Sequence, residues 1–117
     1  MDKREKGAYG EALALDYLEK QGYILLFRNA RFGHDEIDLI LRDGDTTVFA
    51  EVKARSSRAF GFPREAVDAR KQQRMVRAAQ AYMQSAGQDE KARFDVLEVD
   101  LVTKAVSHIP DAFMANT

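Results

Sequence analysis

The sequence contains no cysteine, which excludes disulfide scaffolds, thiolate metal sites and a Cys nucleophile. It has only two histidines. A structural zinc site is therefore not expected, and any metal would be a hard cation held by carboxylate oxygens. No apolar run approaches the roughly 20 residues that cross a bilayer. The opening stretch, residues 1–11, is charged and lacks a signal-peptide core, so a chain starting at Met1 and residing in the cytoplasm is expected. A surplus of one charge is missing too. Lys plus Arg number 18 and Asp plus Glu 19, for a net charge of −1. That total argues against a polycation that coats nucleic acid by charge alone, although a local basic surface remains compatible with it.

What is present is one small domain. With 117 residues, 45% hydrophobic and 32% charged, the chain has room for a single core, so one domain over residues 1–117 is expected. Residues 2 to about 21 read as a helix with Ala8, Ala12, Leu15 and Leu18 at helical spacing and Gly22 as its stop. Residues 23–27, 37–41 and 46–53 read as strands, the first of them buried. A long helix runs from Pro63 to about Ala86, with Gly87 ending it. Residues 94–101 and 105–109 form a last pair of strands. The order αβββαββ predicts an α/β fold, a mixed sheet flanked by two helices.

Three carboxylates stand in apolar surroundings. Taking Asp43 and Gly44 as the two residues of a hairpin turn places Asp38 opposite Phe49. Side chains alternate between faces, so Asp38 and Glu51 share a face as diagonal neighbours about 7–8 Å apart. Glu51, Val52 and Lys53 close an apolar strand, and two like charges so near each other are unfavourable unless a cation intervenes. The alternative is a strand that simply emerges into water. Glu11 lies mid-helix, between Ala8 and Leu18 on the expected buried stripe, where an unpaired carboxylate is expensive unless it snorkels or meets a Lys or Arg. Together Glu11, Asp38, Glu51 and Lys53 fit a phosphodiester-hydrolysis centre using Mg²⁺ or Mn²⁺. Asp38, Glu51 and the Val52 carbonyl would hold the ion. Glu11 would assist through water or a second ion, and Lys53 would orient water or stabilise charge developing on phosphate.

The segments 6–14 (KGAYGEALA), 22–26 (GYILL), 36–40 (EIDLI), 48–55 (VFAEVKAR) and 63–67 (PREAV) carry a resemblance to the bacterial YraN-like uncharacterised family of predicted endonucleases. Asp38 followed by Glu51-Val52-Lys53 resembles the D…(D/E)-x-K signature of the restriction-endonuclease-like superfamily. The resemblance covers residues 6 to about 110. It implies a restriction-endonuclease-like core similar to that of archaeal Holliday-junction resolvases, with Glu11 as the helical Glu, Asp38 as the metal-binding Asp and Glu51 with Lys53 as the E-x-K pair. It also implies a metal-dependent DNA endonuclease, with branched or structured DNA among its substrates and a role in repair or recombination. A homodimer is expected by analogy with enzymes that cut two strands. The family usually has Gly before E-I-D, whereas this chain has Gly33-His34-Asp35-Glu36, making Asp35 and Glu36 secondary candidates.

Charge is unevenly distributed. Residues 53–77 hold eight bases against two acids, a local excess of six. Arg55, Arg58, Arg64, Lys71 and Arg74 are the expected phosphate contacts. Arg70, Arg74 and Arg77 also fit a plain solvated helix face, opposite a buried stripe of Met75, Val76, Ala79, Tyr82 and Met83. Phe60 and Phe62 either stack on bases or pack under their loop. His108 has no evident partner, and Tyr9, Tyr17 and Tyr23 read as helix-to-sheet packing. Two other classes fit less fully: a non-catalytic nucleic-acid-binding module of this fold, and a protein-interaction module using the long helix.

Overall fold

The computed structural model describes residues 1–56, 67–86 and 91–115. Its elements are α1 (Lys3–Lys20), β1 (Ile24–Phe32), β2 (Asp35–Asp43), β3 (Thr46–Arg55), α2 (Ala69–Ser85), β4 (Lys91–Asp100) and β5 (Val106–Phe113). This is the expected αβββαββ order. The five strands form one mixed sheet in the spatial order β1-β2-β3-β4-β5. Only β3 and β4 are parallel, because the segment joining them carries α2 across the sheet.

Alternating residues of the central strands build two cores. Phe49 of β3, with Ile40, Phe94 and Val96, packs against Met75, Ala78 and Ala79 of α2. Val48 and Ala50, with Leu39, Leu41, Leu97 and Val99, pack against Ala14 and Leu18 of α1. The helices therefore cover opposite faces. The architecture is compatible with a restriction-endonuclease-like core. Among the described residues, no helix is long and apolar enough to cross a membrane.

The β1–β2 and β2–β3 hairpins each turn on a glycine with positive φ. Gly33 (φ 64) follows the last β1–β2 pair, Phe32 with Asp35, and Gly44 (φ 61) follows the last β2–β3 pair, Asp43 with Thr46. Gly first with φ above zero is the pattern of a type II′ hairpin. The turn residues are thus Gly44 and Asp45, not Asp43 and Gly44. The register moves by one pair on each strand, Leu39 facing Ala50 and Ile40 facing Phe49, so the faces stay as expected.

Other expectations are corrected. The strand read as buried is an edge strand, with Ile24 and Phe27 exposed, and it continues to Phe32 through a bulge near Leu26. The α1 stripe is rotated. Gly10, Ala14 and Leu18 are buried, whereas Ala8 and Ala12 are exposed. Small residues face the sheet because α1 lies close to it. α2 begins at Ala69, where the Asp68 side chain accepts from the Lys71 N–H and caps the helix. The expected start at Pro63 lies outside the described residues, as do Arg58, Phe60, Phe62 and Arg64.

The α1 approach is tightest at Gly10, where an added Cβ would stand 2.5 Å from the Ala54 Cβ. Gly10→Ala is expected to destabilise the protein by about 1–3 kcal/mol through overpacking, against a helix-propensity gain of about 1 kcal/mol. Adding Ala54→Gly should recover part of the loss. Urea unfolding of both variants checks this, and an unchanged midpoint for Gly10→Ala would mean that α1 does not rest on β3 here.

Candidate active site

The site begins where β2 parts from β3. The paired register runs from Asp43–Thr46 to Leu39–Ala50. Two steps further, Val52 would face Ile37, but its N–H is taken by Asp38 Oδ2 at 2.8 Å. A side-chain carboxylate has replaced the backbone partner, and the strands open around it. In an extended strand the N–H and C=O of one residue point to the same side. The Val52 carbonyl therefore faces the gap that Asp38 occupies.

Asp38 also meets Glu51, its direct rather than diagonal neighbour once the turn is set correctly. Burial pushes the Asp38 carboxyl up to about 8. The Glu51 charge and a hydrogen bond between the two carboxyls push the same way, while the Val52 N–H and the Lys71 charge oppose it. The pair thus shares a proton at neutral pH. The rest of Glu51 is unevenly satisfied. Oε2 lies 3.5 Å from the Lys71 ammonium, and Oε1 is buried with no hydrogen-bond partner among the described residues.

Glu11 approaches from α1. Burial raises its pKa, and the nearby Asp38 charge adds to this. Its carboxylate is engaged by Arg28, whose Nε lies 3.6 Å away and whose Nη2 donates to the Ala8 carbonyl. The pairing weighed from the sequence is therefore realised, with a partner from β1. Among the described residues, no three carboxylate or imidazole side chains are close enough to form a ready-made metal site. Asp38 and Glu51 form a pair, and Glu11 stands beside it.

Lys53 is exposed, on the Glu51 face by strand alternation. Of the expected phosphate contacts, Arg74 is exposed on α2. Arg55 is instead drawn to the fully buried Glu98, 3.6 Å away, and Lys71 belongs to the carboxylate site. The secondary candidates have structural partners: Asp35 receives two hydrogen bonds from Arg77, at 2.8 and 2.9 Å, and Glu36 pairs with Arg31 at 3.3 Å. Arg77 is thus more than a solvated cation.

Two buried acids escaped the sequence reading, Glu98 and Asp95. Glu98 interrupts the apolar run 96–99 as Glu51 does in β3, and the same signal could have found it. Asp95 anchors a network. It accepts from Arg93, from the Asp111 N–H at 3.0 Å and from the Tyr23 hydroxyl at 3.4 Å, and lies 2.8 Å from His108 Nε2. Burial alone would raise the Asp95 carboxyl, but His108, Arg93 and the Asp111 N–H together hold it below its ordinary value. His108 therefore does have a partner. Tyr17 and Tyr23 meet its ring edge-on, with centroids at 5.7 and 5.9 Å.

The model of the uncharacterised protein family UPF0102 matches residues 10–99, the span holding all these acids. A UPF0102 protein of Chlorobium chlorochromatii is 48% identical over 93% of this chain and 91% of its own length. One from Acetivibrio thermocellus is 44% identical over 96% and 93%, and one from Alkaliphilus oremlandii 47% identical over 92% and 96%.

The Asp38 carboxyl titrates near 8 when folded and near 3.9 when unfolded. Between those values the folded protein binds more protons, so metal-free stability falls as pH rises from about 4 to 8. Asp38→Asn keeps an acceptor for the Val52 N–H and offers an amide to Glu51. It is expected to remove that slope and to exceed wild type above pH 8 by about 1 kcal/mol or more. Urea midpoints in chelator at pH 5 and pH 9 check this, and parallel pH profiles for the two proteins would refute it.

Proposed function

The chain belongs to the uncharacterised protein family UPF0102, and from that premise we propose that it is a metal-dependent DNA endonuclease acting on branched or otherwise structured DNA. The observation that carries this reading is the half-buried Asp38–Glu51 pair at the opening between β2 and β3. Two carboxylates in contact, one with a buried oxygen that has no hydrogen-bond partner among the described residues, are unfavourable in a fold unless a cation joins them.

The donor set fits Mg²⁺ or Mn²⁺. It consists of hard oxygens from Asp38, Glu51 and the Val52 carbonyl, and Mg²⁺ is commonly held by one or two carboxylates with water and substrate phosphate completing its shell. Such an ion supplies Lewis-acid polarisation of the phosphodiester and acidifies the attacking water. The chain's own residues do the rest. Asp38 would release its shared proton to solvent as a cation is taken up, and is held in place by the Val52 N–H. Lys53, exposed on the same face as Glu51, stabilises negative charge that grows on the phosphate. Glu11 reaches the site through water while Arg28 holds its carboxylate. Arg74, exposed on α2, attracts the DNA backbone; the expected contacts Arg58 and Arg64 lie outside the described residues. Arg55 contributes its positive charge from its place beside Glu98.

A second reading, a nucleic-acid-binding module without cleavage, is favoured by the Glu11–Arg28 ion pair, which leaves two carboxylates rather than three facing one another. One assay separates the two. Purified protein with Mg²⁺ or Mn²⁺ is offered linear, nicked, flapped and four-way DNA. The nuclease reading expects cleavage that Asp38→Asn and Glu51→Gln each reduce by about 10²-fold or more, with DNA affinity retained. Cleavage undiminished in both variants, or binding to every substrate without a cut, would defeat it.

A further inference from the structure

The placement of Lys71 is unusual. It sits in the first turn of α2, three residues after the Asp68 N-cap, and that turn holds no acidic residue. A cation at a helix N-terminus opposes the helix dipole, so this position does not serve the helix. Its side chain instead crosses to the sheet. The ammonium lies 3.5 Å from Glu51 Oε2, with Lys71 about one-third exposed and Glu51 14% exposed. It thus stands at a partly exposed edge of the carboxylate pair, while among the described residues Glu51 Oε1 has no hydrogen-bond partner. An ammonium on a four-carbon stem is a compact point charge that can be moved by rotation, unlike a bidentate guanidinium.

We propose that Lys71 is the resident counter-cation of this site: it neutralises Glu51 in the metal-free protein, gives that carboxylate up to a divalent cation, and turns to the DNA phosphate that follows. The inference rests on the nuclease reading and deepens it by assigning one side chain two successive partners. Lys71 is thus a positioning residue that also governs occupancy. It opposes premature loading, because a divalent cation must displace an ammonium, and favours loading with DNA present, because the phosphate then receives the displaced charge.

The consequence is a pair of opposite effects. Lys71→Gln is expected to bind Mn²⁺ more tightly in the absence of DNA, by about threefold or more, because a competing charge is gone. The same variant is expected to bind DNA more weakly when Ca²⁺ replaces the reactive metal. Lys71→Arg, which keeps the charge as a guanidinium able to grip Glu51 at two points, should bind Mn²⁺ no more tightly than wild type, and Arg70→Gln, an exposed neighbour on α2, should leave Mn²⁺ affinity unchanged. Mn²⁺ titration followed by electron paramagnetic resonance, with fluorescence anisotropy for DNA, reads both arms. Misfolding would weaken both affinities and cannot mimic the opposed pair. Unchanged or weaker Mn²⁺ binding in Lys71→Gln, equal tightening in Arg70→Gln, or undiminished DNA affinity in Lys71→Gln would overturn the assignment. Wild-type protein that takes up no Mn²⁺ would defeat the metal reading itself, and this inference with it.

Discussion

The contact between Asp38 and Glu51 sets the terms for everything around it. Two carboxyls in a low-dielectric setting cannot both ionise cheaply, and burial with mutual repulsion lifts Asp38 to about 8. The fold tolerates the arrangement because β2 and β3 stop pairing there and because the Val52 N–H finds the Asp38 carboxylate in place of a backbone carbonyl. The same substitution that satisfies Val52 holds the strands apart. An opening in a sheet normally leaves backbone groups orphaned, and here one acid prevents this at that position while turning the gap into a place for polar chemistry.

Two buried acids, Asp95 and Asp35, show what a purely structural carboxylate looks like in this molecule. Asp95 is surrounded by donors from Arg93, Tyr23, His108 and the Asp111 backbone, and the balance of those contacts keeps it ionised. Asp35 is held in a two-point grip by Arg77. In each case the surroundings supply positive charge or N–H groups to match the oxygens. Asp38 and Glu51 differ because part of what each faces is the other acid. Their nearest cation, Lys71, stands at 3.5 Å from one oxygen of four. Burial alone does not separate a site from a scaffold. The balance of donors against acceptors does, and on that measure this pair differs from Asp95 and Asp35.

Much of this was legible in the sequence, for definite reasons. The alternation of β2 and β3 put Asp38 and Glu51 on one face whichever of the two turn placements held, since moving the turn by one residue changes the pair sum by two and preserves parity. Whether the carboxylates touch depended on that turn, and Asp-Gly and Gly-Asp readings of the same residues are separated only by where φ turns positive. The α1 face was misjudged because Ala8 and Ala12 are as apolar as Gly10 and Ala14, and the choice between them is made by how closely a helix can approach Ala54. β1 looked buried from its apolar letters, but its place at the sheet edge is a property of topology. Long-range pairs such as Arg28 with Glu11 and Lys71 with Glu51 join elements whose relative placement no local pattern encodes.

The near-neutral charge total follows the same logic. The basic segment 53–77 supplies six cations among the described residues, and three of them, Arg55, Lys71 and Arg77, are turned to acids of the sheet. Their charge goes first to internal balance. Lys53, Arg70 and Arg74 are exposed, and Lys53 is only two residues from Glu51. Of these exposed cations Lys53 stands nearest the carboxylate pair in sequence, and at physiological ionic strength the field of such a charge extends about 8 Å. A divalent cation at Asp38 and Glu51 would change this field twice, by its own charge and by returning the Lys71 charge to the surface. Metal and phosphate would then favour each other's binding even though the apo chain has almost no net charge.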